Sequence, residues 1–193
     1  MKLLKNRAFL IPAAILIILV VGVASAFGDL KSDVRKTENL FFEGVKSDSG
    51  GYTRPSVYEQ MRSKYTTANS ILGVIDSYSV LAEPADALRT AKDHVYDLLS
   101  GSQDGSAIRG LSAANEEMIQ AVEKLKTALE DIMFPDRERK ALDRYLKDME
   151  GAQSVIEASG YNDAAREFNG RLERFPANLM VKLLKNPNGA AYF

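Results

Sequence analysis

IRGLSAANEEMIQAVEKLKTALEDI, residues 108–132, decides the fold class. Ile108, Leu111, Asn115, Met118, Val122, Leu125, Leu129 and Ile132 succeed one another at spacings of three and four. That beat puts all eight on one face of a helix, while Glu116, Glu117, Glu123, Lys124, Lys126 and Glu130 fall on its flanks. The stretch predicts a long amphipathic helix with a buried seam. Gly101 to Gly105 (GSQDG) is a loop by composition, and Ser106 is the expected N-cap. Phe134-Pro135-Asp136 ends the helix and starts the next.

Working outward, the same period recurs on both sides. Met61, Tyr65, Ala68, Leu72, Ile75 and Ser79 mark a helix beginning near Pro55. Glu83-Pro84 gives a break and a proline start for a shorter helix through Leu88, Ala91, Val95 and Leu98, stopped by Gly101. Beyond Pro135 there are two registers. Leu142, Tyr145, Met149, Ala152 and Ile156 form one; Tyr161, Ala165, Phe168, Leu172 and Phe175 form the other. They do not join in phase, and the slip falls at Ser159-Gly160, where a bend or short break is expected. No strand pattern of useful length is present. Long amphipathic helices with short polar connections predict an all-α protein, an antiparallel up-and-down bundle over residues 56–193.

The N-terminus is of another kind. Residues Ala8 to Gly28, AFLIPAAILIILVVGVASAFG, carry no charge over 21 positions, just enough helix for a hydrocarbon core of about 30 Å. Lys2, Lys5 and Arg7 precede them and Ala24-Ser25-Ala26 could serve as a cleavage site, so a secretory signal competes with an anchor. The apolar core exceeds the usual signal length, which favours an uncleaved transmembrane helix over residues 1–28 that contacts the lipid bilayer through 8–28. A lipoprotein route needs a cysteine, and there is none. The basic residues before the span are packed tighter than Lys31, Arg35 and Lys36 after it, which predicts a cytoplasmic N-terminus and an extracytoplasmic domain in a single-pass cell-membrane protein. Residues 29–55, with Ser47-Asp48-Ser49-Gly50-Gly51, read as a stalk. Phe41-Phe42 within it would pack on the domain, dip into the headgroups or bind a partner.

The net charge is −1 without a basic block, so nucleic acid is not an expected partner. Absence of cysteine removes disulfides, zinc–thiolate sites and thiol catalysis. His94 is the only histidine, and Ala91 stands where a di-iron Glu-x-x-His motif would need glutamate. Phosphate loops, nucleophile elbows and zinc-protease motifs are missing, so no catalytic residue, cofactor or metal is expected.

Tyr161 to Leu179 reads YNDAAREFNGRLERFPANL. It resembles the signature of the LemA family, a Y-N-x-A-V-x-x-Y-N-like run before F-P-x-N-L. The matching positions are Tyr161, Asn162, Ala164, Phe168, Asn169, Phe175, Pro176, Asn178 and Leu179, with Tyr192-Phe193 similar to the family's final Y-F. The arginine-rich run usual before the Y-N is replaced by residues 153–160, and the F-G-F after N-L by Leu184-Lys185-Asn186. The chain is thereby identified as a divergent member. The resemblance implies a membrane-anchored helical bundle with no catalytic activity to carry over.

Asn115, Asn162 and Asn169 are expected to hydrogen-bond inside the bundle and set its register, with ligand binding as the alternative. Phe175-Pro176-Ala177-Asn178-Leu179 is the expected turn that folds the tail back, with Asn178 capping a short helix after it. The function predicted is a non-enzymatic interaction or scaffolding module at the membrane, with an unidentified membrane or envelope protein as partner. The heptad seam also allows a homo-oligomer. The alternative is a membrane-tethered small-molecule or peptide sensor with a pocket of Asn162, Asn169, Tyr161 and Tyr65.

Overall fold

The computed structural model describes residues 25, 28–46, 53–54, 56–174 and 190–193. In chain order these form helix α1 (28–43), strands β1 (Val45–Lys46) and β2 (Thr53–Arg54), and helices α2 (Val57–Ile75), α3 (Ala82–Leu99), α4 (Gly105–Glu130), α5 (Asp136–Glu157) and α6 (Tyr161–Leu172). A single 3₁₀ turn, Ser79–Leu81, leads into α3. The two-residue strands pair antiparallel, Val45 with Arg54 and Lys46 with Thr53. The fold is an all-α bundle.

Local chemistry sets the helix ends. Ser56 caps α2, its side chain accepting from the Glu59 N–H at 3.0 Å. Pro84 lies in the first turn of α3, where its missing N–H costs nothing. The α4 cap is Asp104 rather than Ser106: its carboxylate accepts from the N–H groups of Ser106 (2.9 Å) and Ala107 (3.1 Å). The Ser106 and Ala107 bonds hold that carboxyl below its usual range. Sequence reading placed the cap two residues late because GSQDG offers several capping residues in succession. Gly160 sits at φ +72° between α5 and α6, so the register slip is a true break. Nothing lies within 4 Å of where its Cβ would be, so Gly160→Ala meets only the left-handed backbone cost. Urea denaturation should show that variant destabilised by about 1–2 kcal/mol.

Cross-helix contacts fix the topology. Tyr58 Oη donates to the Leu99 carbonyl (2.8 Å) and Arg89 pairs with Asp76 (2.8 Å), so α2 and α3 run antiparallel. His94 meets Glu117 across α3 and α4. Tyr78, just beyond α2, bonds Glu138 at the start of α5, while Lys64, in the first half of α2, meets Gln153 near the end of α5. Hence α2 is flanked by α3 and α5, and α3 by α4, all antiparallel. The fourth seam is different: α4 and α5 face each other across a groove.

The α4 seam lies where periodicity puts it. Ile108, Leu111, Met118 and Leu125 are fully buried, Asn115, Val122 and Leu129 nearly so, and Ile132 is half-buried past the helix end. Those side chains are used inside the chain's own bundle, so the heptad gives no separate argument for self-association.

Residues 29–43 of the expected 29–55 stalk form a packed helix instead. Leu30, Val34, Thr37 and Phe41 keep helical spacing, and Thr37 and Phe41 are buried. The Phe41 ring lies 5.2 Å from Tyr161 and 5.3 Å from Phe193, and Phe42 lies 5.7 Å from Tyr58. Farther along, Asp33, Lys36 and Thr37 face Ala164, Phe168 and Arg171. So α1 and α6 form an antiparallel pair at the end of the bundle where α2 begins, and the folded unit starts well before residue 56. Among the described residues no helix is long and apolar enough to cross a membrane. Residues 8–24, 26 and 27 of the predicted anchor, and Phe175, Pro176 and Asn178 of the predicted turn, lie outside the described residues.

Candidate functional site

The α2 helix carries one residue that its apolar stripe does not announce. Lys64 is three residues beyond Met61 and four before Ala68, which places it on the inward face. It is 2% exposed. Its ammonium donates to Asn115 Oδ1 on α4 (2.5 Å) and to Gln153 Oε1 on α5 (2.9 Å). Asn115 Nδ2 also reaches Gln153 Oε1 at 3.3 Å, so three helices share one polar cluster. Gln153 Nε2 in turn donates to Glu157 (3.0 Å).

A buried ammonium is costly, and here both direct partners are neutral amides. Burial lowers the Lys64 pKa to about 8, with Glu157 and Glu116 pulling the other way. No described carboxylate is within ion-pair distance of Lys64.

Lys64 forms part of the wall of the α4–α5 groove, which encloses about 230 Å³. Met118, Ile119, Val122 and Met149 give it an apolar lining. At its rim Lys126 bridges Glu123 (2.8 Å) and Glu150 (2.7 Å), and these bonds raise the Lys126 pKa. An apolar channel with one poorly compensated cation has the makings of a ligand site. The groups bonded to Lys64 there are amides.

The residues expected from sequence divide between this site and a second cluster. Asn115 belongs to the Lys64 cluster. Tyr161, Asn162 and Asn169 instead hold the C-terminal residues. Buried Tyr161 Oη donates to the Ala191 carbonyl (2.6 Å), and burial pushes its phenol pKa up. Asn169 Nδ2 donates to the Ala190 carbonyl (2.9 Å). Asn162 bonds both ways with Phe193, accepting from its N–H at 2.9 Å and donating to its carbonyl. Phe168 is buried and lies with Thr37 at the α1–α6 face. The pocket expected from Tyr161, Asn162, Asn169 and Tyr65 is therefore not assembled. The first three clasp the tail, while Tyr65 stacks on Tyr96 at 5.3 Å on α3, with Lys92 over its ring.

Comparison with family models, characterised proteins and solved structures found no match to this chain.

His94 Nδ1 lies 2.7 Å from Glu117 in a partly exposed pair. Among the described residues no group of three or more His, Asp or Glu side chains is placed to hold a metal ion. Sequence reading missed Lys64 and Gln153. The available signal was their inward helical position; it was overlooked because charged and amide side chains default to solvent.

Proposed function

We propose that the chain is a non-enzymatic, membrane-tethered interaction module of LemA-like design. The observation carrying this reading is that the α1 end of the bundle and an exposed apolar tip are opposite. The first residues of α1 adjoin the predicted anchor, and α1 meets the bundle through Phe41 and Phe42. At the far end Val80 is 73% exposed and Met133 98% exposed. Packing of Tyr78 on Phe134, 4.7 Å apart, joins the two loops that carry them. Helix α1 spans about 20 Å from residue 28 to 41, and the 19 residues of α2 span about 30 Å. With the anchor in a cell membrane and the domain outside the cytoplasm, that tip meets a membrane or envelope protein, or another copy. Tethering raises its local concentration there. LemA-like design is supported by the tail clasp, since the signature residues Tyr161, Asn162 and Asn169 hold the segment ending in Tyr192-Phe193.

The test is in-membrane photocrosslinking of the full-length protein. A photoreactive residue at Met133 should give a discrete adduct, and one at the exposed helix position Lys147 should not. Equal labelling from both, or none from Met133, would contradict the reading. A second reading, a small-molecule sensor, is favoured by the Lys64 groove.

A further inference from the structure

We infer that the α4–α5 groove is a binding site for a small monocarboxylate with an apolar body, its carboxylate on Lys64 and its body along Met118, Val122 and Met149. This rests on the sensor reading and names its ligand. Three features select that chemistry. Lysine has three N–H donors, and two go to the amide oxygens of Asn115 and Gln153, leaving one without a partner among the described residues on a side chain that lines the groove. Glu123 and Glu150 at the rim are engaged by Lys126, and Glu157 accepts from Gln153. Among the described residues Lys64 is thus an inward-facing charge with no carboxylate in ion-pair distance, and a carboxylate is its complement. Below the polar head Met118, Ile119, Val122 and Met149 present thioether and aliphatic carbon to an alkyl or aryl group, while Ser154, the remaining polar liner, already donates to the Glu150 carbonyl. A volume of about 230 Å³ is under the roughly 300–1,000 Å³ typical of drug-sized ligands, so the occupant is short.

Octanoate is a suitable probe, with octanol and octylamine as neutral and cationic counterparts. The full-length protein, in lipid nanodiscs with its methionine methyls ¹³C-labelled, reports the site directly through Met118 and Met149. Met133, at the far tip, is the internal reference. Octanoate should shift the two groove methyls saturably, and octanol and octylamine should bind about tenfold more weakly or less. Lys64→Met should lose about tenfold for octanoate and nothing for octanol. Lys64→Gln keeps a polar group in the cluster and should show the same loss, which covers a misfolded methionine variant. Equal binding of octanoate and octanol, or undiminished octanoate binding in both variants, would overturn the carboxylate inference while leaving the sensor reading standing. Failure of all three probes to move Met118 and Met149 would overturn both.

Discussion

Phe41→Ala should destabilise the protein by about 3–5 kcal/mol, the cost of emptying a fully buried aromatic site. Phe41 has no exposed surface, and its ring meets Phe42 (5.1 Å), Tyr161 and Phe193 edge-on or tilted. Such pairs add to area burial. A residue in a solvated stalk would cost within about 0.5 kcal/mol. The two readings of residues 29–43 therefore differ severalfold in one denaturation experiment. The loss should be local in origin. Hydrogen exchange should quicken first in α1 and at residues 190–193, because Phe41 joins α1 to Tyr161 and to the tail, while the α4 seam keeps its protection.

Lys64 gives the second large effect, through pH. Its pKa is lowered from 10.5 to about 8 in the folded chain. Between those values the unfolded chain holds a proton that the folded chain has released, so stability rises with pH across that window. At 1.36 kcal/mol per pH unit the full difference is about 3 kcal/mol. The rise is best read from pH 7.5 to 10. Above about 10 the raised phenol pKa values of Tyr161, set by burial, and Tyr78, set by its Glu138 bond, act in the opposite direction. Lys64→Met should flatten the rise. At pH 7 that variant should match the parent or exceed its stability by about 1–2 kcal/mol, because an apolar side chain replaces a buried ion. Asn115 and Gln153 can still bond each other, which limits the loss from the vacated amide oxygens.

Helical periodicity was legible wherever apolar residues alone set the seam. The α4 stripe, the Glu83-Pro84 start of α3 and the Gly160 break all arise from local chemistry. The same rule failed where the seam contains polar residues. In α1 Thr37 interrupts Leu30, Val34 and Phe41, and the turn formers at residues 47–51 drew the whole segment towards a stalk. In α2 the burial of Lys64 depends on amides 51 and 89 residues away, which no local pattern shows. Asn162 and Asn169 were expected to bond within the bundle. They do make hydrogen bonds, but to the backbone of the final residues, because the tail returns to α6. The α4–α5 groove had no sequence signal, since it results from the spacing of two helices each with an ordinary apolar face.

The tether is the premise on which the opposite-ended geometry acquires meaning. Alkaline carbonate extraction of the full-length protein from cells, with intact mass measurement of the retained species, tests it most directly. The account predicts a carbonate-resistant membrane protein retaining its N-terminal apolar segment, with α1 carrying the bundle away from the lipid. Recovery of a soluble polypeptide beginning at Phe27 would contradict it.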